Sequence, residues 1–332
     1  MTVLVAGGAG YIGSHTVAAL REKNVDVIVI DNMEKGHNKA VWDGAKLFVG
    51  DLRDNVFLDK VFAGNKIDAV VDFAAYSLVG ESVHEPAKYY DNNVVGTLCL
   101  LNAMRAHKVD KMVFSSTAAV YGVPENTPIL ESDKTMPINP YGETKLAVER
   151  MLGCFDRAYG IKYVVLRYFN AAGAHTSAKI GEDHNPETHL IPLTLQAALG
   201  KRSKVGIFGD DYNTRDGTCI RDYIHVTDLS DAHILAVDYL QSGGASDVFN
   251  LGNSTGFSVK EIIDCARKVT KIDIAAEIQP RRGGDPDVLI ASSDKIKQVL
   301  NFSPKCEDIE LIINSAWAWH KNNPFGYGEH KA

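Results

Sequence analysis

Cysteine is scarce and unpatterned. Cys99, Cys154, Cys219, Cys265 and Cys306 are the only five in 332 residues, and no two stand at C-x-x-C spacing. That argues against a zinc knuckle or a disulfide framework, fits a reducing cytoplasm, and leaves no metal site expected. Long apolar runs are missing as well: no stretch of 18 apolar residues occurs, which argues against a membrane span. There is no block of lysine and arginine, and the formal net charge is -7, so bulk electrostatics favour neither nucleic acid nor an anionic membrane. Any anionic ligand must be met by local groups. No charged leader with a long apolar core precedes the first apolar run, TVLVA, so the expectation is a soluble, cytoplasmic protein that is not exported.

What is present is the composition of a globular enzyme, 45% hydrophobic and 23% charged. The length exceeds what one core usually supports, so one large domain or two fused lobes is expected. Residues 1–170 alternate β-branched runs (VLVA, VDVIVI, KLFV, DAVVDF, KMVFSS, KYVVLRY) with segments of helical period at 11–23, 54–64, 86–107 and 140–159. This alternation predicts an α/β fold, a doubly wound parallel sheet covered on both faces, with strands apolar throughout. After Asn170 the pattern loosens and no regular βαβ rhythm returns. Strands are predicted at 205–208, 222–225, 247–251 and 275–279, and helices at 190–199, 228–241, 258–269, 292–300 and 307–321. Residues 171–332 read as a smaller mixed α/β lobe, with the chain free to cross back between the two parts.

The stretch VLVAGGAGYIGSHTVAALREKNVDVIVID carries the most specific signal. Gly7, Gly10 and Gly13 stand between a predicted strand and a predicted helix, where side chains would block a pyrophosphate from the helix N-terminus. Asp31 closes the next apolar strand about 20 residues on, where a carboxylate accepts from both ribose hydroxyls of NAD and repels a 2′-phosphate. A Rossmann-type domain binding NAD rather than NADP is the reading. Asp51, in VGDLRD, is placed to hold an adenine amino group or to cap the helix that follows.

NPYGETKLAV sets Tyr141 and Lys145 one turn apart on one helix face, with Pro140 suited to the first turn. A free phenol has a pKa of about 10, and a cation at about 6 Å in an effective dielectric near 20 lowers it by about two units. Lys145 and a positively charged nicotinamide would together do this, making Tyr141 a base for an alcohol that loses hydride to NAD⁺. KMVFSSTAAVYG puts Ser115, Ser116 and Thr117 at the carboxyl end of a strand, where open α/β sheets bind ligands and a hydroxyl can share the substrate oxygen.

Glycine loop, Asp31, SST and Tyr-x-x-x-Lys together resemble the extended short-chain dehydrogenase/reductase superfamily. Within it, GGAGYIGSH, VGES, NVVGT, FSSTAAVYG, NPYGETK, RYFNAAGA, GTCIRDYIHVTDL and RRGGDPD resemble the UDP-glucose 4-epimerase family over essentially the whole chain. The resemblance implies reversible epimerisation of UDP-galactose and UDP-glucose at C4 through a transient 4-keto sugar and tightly bound NAD, in galactose metabolism. It makes Tyr141 the base, Lys145 the group that lowers its pKa and holds the nicotinamide ribose, and Thr117 the partner of the sugar hydroxyl.

By the same resemblance the NAD site takes Tyr11, Ile12 and Asn32 beside the glycines and Asp31, and Leu52 beside Asp51. Phe73, Ala74, Ala75, Ser77 and Asn92 would line it, and Ser115 and Tyr168 would complete it, Tyr168 closing over the nicotinamide. For the UDP-sugar it implies Asn170, His189, Leu190, Phe208, Arg221, Tyr223, Arg282 and Asp285, with Leu289 beside the sugar. The arginines also make independent sense, because a pyrophosphate on an acidic protein needs bidentate donors.

Three positions depart from many relatives: Ser77 replaces a lysine, His189 an asparagine, and Thr117 a serine. Ala118 and Ala119 stand where sugar-nucleotide dehydratases carry an Asp-Glu pair, so the acid and base for removing water are lacking. Leu289 occupies the position where a tyrosine narrows the pocket near the sugar's C2 substituent, which extends the expectation to UDP-N-acetylhexosamines. Helices 86–107 and 140–159 carry apolar stripes, and the corresponding pair in the family forms a homodimer.

Overall fold

The computed structural model describes residues 1–283 and 285–328; Gly284 of the RRGGDPD segment and residues 329–332 lie outside the described residues. In chain order the first half runs β1 (Thr2–Ala6), α1 (Tyr11–Glu22), β2 (Asp26–Asp31), β3 (Lys46–Val49), α2 (Asn55–Ala63), β4 (Ala69–Asp72), α3 (Val79–His84), α4 (Pro86–Tyr89), α5 (Gly96–Ala106), β5 (Lys111–Thr117), α6 (Pro140–Tyr159), β6 (Lys162–Tyr168) and β7 (Asn170–Ala172). The second half adds α7 (Leu190–Ala198), β8 (Val205–Phe208), β9 (Ile220–Arg221), β10 (Tyr223–His225), α8 (Val226–Gln241), β11 (Asp247–Leu251), β12 (Phe257–Ser258), α9 (Val259–Thr270), β13 (Ala276–Gln279), β14 (Val288–Leu289), α10 (Asp294–Leu300) and α11 (Ile309–Asn322).

Seven strands form one parallel sheet in the order β11-β6-β5-β4-β1-β2-β3. Its two faces follow from the two-residue period of a strand. Val3 and Val5 of β1 point into a core shared with Val17 and Leu20 of α1 and Leu229 and Val237 of α8. Their neighbours Leu4 and Ala6 point the other way, onto Leu58 of α2, Leu101 of α5 and Val148 of α6. Each fully buried valine or leucine of this kind contributes about 1.5–3 kcal/mol, so the unbroken apolar runs of the central strands specify the covered sheet. β3 departs from the expectation, because it is the edge strand and Lys46 and Val49 are exposed.

The strand order reverses between β1 and β4, which opens a crevice at their carboxyl ends. β2, β4, β5 and β6 end there on Asp31, Asp72, Thr117 and Tyr168.

The helix and strand expected at 228–241 and 247–251 are α8 and β11, and with them the chain crosses back: α8 packs on α1, and β11 pairs in parallel with β6 in the register Val248↔Val165, so one βαβ step does return after Asn170. The single helix expected over 86–107 is α4 and α5 joined by a π-helical stretch, Tyr90–Val95. α10 joins the sheet core through Ile296 and Leu300, while α7, β8, α9 and α11 gather around a separate core of Leu195, Ile207, Ile263 and Ile313. Among the described residues no helix is long and apolar enough to cross a membrane.

Beneath the crevice lies a buried polar network. Arg167 of β6 donates from Nε to Glu149 Oε1 of α6 at 3.0 Å and from Nη2 to Oε2 at 2.5 Å, and Ser116 Oγ donates to Glu149 Oε1 at 2.5 Å. Arg167 also donates to the Tyr121 hydroxyl at 2.9 Å, which in turn donates to Asn250 Oδ1 at 2.6 Å. Glu149 and Arg167 are both buried, so removing one partner strands a charge. Glu149→Ala is expected to lower unfolding free energy by about 3–5 kcal/mol. Denaturant titration checks this, and a loss below about 1 kcal/mol would contradict it.

Candidate active site

The turn after β1 places backbone where a ligand can touch it. Gly7 has φ +73, and a Cβ there would stand 2.8 Å from Ala74 N; a Cβ on Gly13 would stand 2.2 Å from Gly7 O. Side chains at either position would force strand and helix apart. α1 starts after Gly10 with no side-chain cap and no acidic residue in its first turn. Its leading amides therefore face the crevice with a partial positive charge, an arrangement that fits a diphosphate.

Two adjoining clefts occupy the carboxyl edge of the sheet. The smaller, about 110 Å³, is lined by Gly7, Gly10, Asp31, Asn32, Asp51, Leu52, Phe73, Ala74, Ala75 and Asn92. Asp31 closes its floor, with Oδ2 accepting from Ala9 N at 3.0 Å and Oδ1 from Met33 N at 2.9 Å. Burial raises its pKa, and the two amides oppose the rise. Asp51 lines this cleft and is held by its neighbour Arg53. Arg53 donates to both its oxygens, from Nε at 2.8 Å and Nη2 at 2.6 Å, and holds the carboxyl down at about 2 despite partial burial. The helix that follows is capped by Asp54 instead.

The larger cleft, about 760 Å³, is lined by Tyr11, Ile12, Gly13, Ser77, Ser115, Thr117, Tyr141, Lys145, Tyr168, Asn170 and His189 among others. α6 delivers two of these. Asn139 caps it by accepting from Gly142 N at 2.9 Å, Pro140 opens it, and Gly160 closes it in the left-handed region at φ +74. Strand alternation sorts the SST segment: Ser115 and Thr117 face the cleft, whereas Ser116 turns to Glu149 on the other face. Ser115 Oγ and the Tyr168 hydroxyl share a hydrogen bond.

Tyr141 and Lys145 meet in the cleft, but the expected depression of the phenol is not a property of the protein itself. Burial pushes the Tyr141 phenol above its ordinary value, and a hydrogen bond with Thr117 opposes this. The Lys145 ammonium donates to the Ser115 carbonyl at 2.8 Å and lies 4.8 Å from the centre of the Phe114 ring. Burial pushes it down to about 8, with the charges of Asp72 and Glu149 opposing. Its ammonium is hydrogen-bonded to a carbonyl and feels two carboxylates through space. Asp72 is itself pushed up to about 6 by burial, with Lys145 opposing.

Of the predicted sugar-side residues, Asn170 and His189 line the cleft, and the others lie beside it. Leu190 is the first residue of α7, and buried Tyr223 pairs in register with Asn170, whose Nδ2 donates to Asp222 O at 2.8 Å. Arg221 is bound to Asp285, Arg282 lies 3.9 Å over the Phe208 ring, and Leu289 stands in register with Arg221.

Two features escaped the sequence reading. Buried Asn93 clamps the cleft wall, accepting from Tyr76 N at 2.9 Å and donating to Tyr76 O at 3.0 Å and to Thr144 Oγ1 of α6 at 3.2 Å. In the pair Asn92-Asn93 only the helical phase distinguishes the lining residue from the clamp. The other is the company of His189: Glu182, His184, Glu187 and His189 converge within eight residues of one loop. Glu182 holds the His189 imidazolium up at about 10 although burial alone would lower it.

Residues 3–252 match the NAD dependent epimerase/dehydratase family. The chain is 58% identical over 327 residues to the UDP-glucose 4-epimerase of Halalkalibacterium halodurans, covering 98% of each. It superposes on the crystal structure of UDP-glucose 4-epimerase from Brucella ovis in complex with NAD with a TM-score of 0.93, at 46% identity over 95% of this chain and 97% of that one. It also superposes on the UDP-Glc/GlcNAc 4-epimerase of Campylobacter jejuni with a TM-score of 0.86, at 45% identity over 97% and 99% of the two chains.

Proposed function

The chain belongs to the NAD dependent epimerase/dehydratase family and, within it, to the UDP-glucose 4-epimerases, and we propose that it interconverts UDP-galactose and UDP-glucose through a transient 4-keto sugar. NAD is the cofactor and supplies, when bound, a reversible hydride acceptor. The glycine turn and the open amides of α1 would hold its diphosphate, and Asp31 a ribose.

The remaining chemistry falls to side chains. Tyr141 takes the proton of the 4-hydroxyl and returns it after the ring has turned over. Thr117, hydrogen-bonded to Tyr141, holds the same oxygen. Lys145 contributes positive charge to the phenolate and a donor to the cofactor ribose. Ala118 and Ala119 carry no acid or base, which leaves the elimination of water without its groups. Asn170, His189, Leu190, Phe208 and Tyr223 would contact the nucleotide sugar. Arg221 and Arg282 would exchange Asp285 and the Phe208 ring for the diphosphate.

The observation that carries this reading is that Thr117, Tyr141 and Lys145 share one cleft with the first turn of α1. Purified protein given UDP-galactose and excess NAD is expected to form UDP-glucose with no net NADH. NADH accumulating without UDP-glucose would reject the assignment. Leu289 is smaller than the tyrosine expected to narrow this position, and the Campylobacter relative is named for both sugars. Turnover of UDP-N-acetylglucosamine in the same assay is therefore expected, and its absence would remove that part of the proposal.

A homodimer is proposed through the α5 and α6 faces, where Val95 at the end of the π-helical stretch, Leu98 of α5 and Tyr159 of α6 are exposed apolar residues. A sedimentation mass of one chain would exclude it.

A further inference from the structure

The loop leading into α7 reads E-D-H-N-P-E-T-H, and its four side chains Glu182, His184, Glu187 and His189 each bring one ligand atom to a common region, all within 4.8 Å of one another. Atoms around one ion with bonds of about 2.1 Å stand roughly 3–4 Å apart, so modest side-chain rotations close the set. Three of the four ligand positions are anchored in the fold. Glu182 is 4% exposed, and its carbonyl accepts from Trp319 Nε1 at 3.1 Å. Glu187 Oε1 accepts from the amides of Thr188 at 2.7 Å and His189 at 2.8 Å, which leaves Oε2 facing His184 Nδ1 at 3.8 Å. The His184 ring packs edge-on against Tyr11 at 5.9 Å between ring centres.

The second observation concerns satisfaction. Glu182 Oε1 lies 2.7 Å from His189 Nδ1 and 3.2 Å from His184 Nδ1, yet is in hydrogen-bond geometry with neither; it and His184 Nδ1 are both buried without a hydrogen-bond partner. The His189 imidazolium offsets the charge of Glu182 from 2.7 Å, but neither ring directs an N–H along a hydrogen bond to Oε1, and a buried oxygen without one keeps a cost. A cation that displaces the His189 Nδ1 proton to solvent and sits between the two imidazoles and the two carboxylates satisfies every one of these atoms at once.

We propose that Glu182, His184, Glu187 and His189 form a binding site for a divalent transition-metal ion of the zinc class on the wall of the active-site cleft. Two imidazole nitrogens with two carboxylate oxygens suit zinc and its neighbours and discriminate against the all-oxygen preference of magnesium and calcium. The ion ties the loop to the first turn of α7, whose residue Leu190 follows directly on His189. His189 would bind the ion through Nδ1, which already faces Glu182, and keep Nε2 for the nucleotide-sugar contact proposed above.

Protein stripped with a chelator is titrated with Zn²⁺ by calorimetry and with Co²⁺ by visible absorption. The expected result is saturation at one equivalent, a Co²⁺ spectrum of low-coordinate intensity, a rise in thermal midpoint, and no competition from excess Mg²⁺. His184→Ala, at a partly exposed position, is expected to weaken Zn²⁺ binding by ~100-fold or more while retaining NAD binding as proof of folding. Glu182→Gln should weaken it comparably where it folds. Failure of the chelator-stripped protein to bind one equivalent would overturn the proposal, as would a His184→Ala protein that binds Zn²⁺ as tightly as the parent.

Discussion

Tyr141→Phe is expected to bind UDP-sugar and NAD and to lose turnover by on the order of 10³-fold, within the range that a positioned general base contributes. The substitution keeps the ring that fills the half-buried position at the start of α6 and removes only the hydroxyl. Stability should barely change: the deleted group's partner is Thr117, which also accepts from Ala119 N at 3.2 Å and so stays satisfied. With no oxygen to take the hexose proton, the alkoxide character needed for hydride loss cannot develop. Single-turnover measurement of hydride transfer, alongside affinities for NAD and UDP, separates these effects. A phenylalanine protein with near-parent kcat would end the assignment of Tyr141 as base.

Much of the fold could be read from the sequence because its determinants are local. The unbroken apolar runs of β1, β2 and β4 mark strands covered on both faces, and Asn139-Pro140 and Gly160 mark where α6 begins and ends. The glycine turn was readable for the same reason, since close approach of Gly13 to Gly7 is a matter of six residues. What escaped depends on pairing between distant segments. Nothing local in DVFNL says that it joins β6 rather than the second lobe, and the Arg221 to Asp285 pair spans 64 residues.

The site shows the same division. Tyr141 and Lys145 are four apart on a helix, so their common face follows from period alone, and period 2 separates Ser115 and Thr117 from Ser116. The direction of the Lys145 charge does not follow, because its acceptor is a backbone carbonyl thirty residues earlier in the chain. The ligand loop escaped for a further reason. E-x-H-x-x-E-x-H has neither helical nor strand period, so only the folded turn brings its four side chains to one point.

Lys145→Met gives the second large effect, and its pH dependence distinguishes a charge role from a purely binding one. A cation about 6 Å from a phenolate stabilises it by roughly 3 kcal/mol at an effective dielectric near 20, or about two pKa units. The methionine protein, saturated with NAD, is therefore expected to turn over about 10²-fold more slowly near pH 7, and to hold NAD less firmly. Raising pH ionises the phenol without help, so the variant gains rate with pH. The parent moves oppositely: burial places its ammonium at about 8, so the charge is present below that value and lost above it. The two profiles should converge above pH 8. Stability moves in the opposite direction to the parent's rate advantage. A base whose folded pKa lies below its unfolded value costs the fold while charged, so the parent gains stability as pH rises from about 8 toward the lysine reference of about 10.4, and the methionine protein does not. Parallel rate profiles at saturating NAD, or a defect confined to NAD affinity, would show that Lys145 only holds the cofactor and that the phenolate is stabilised by other groups.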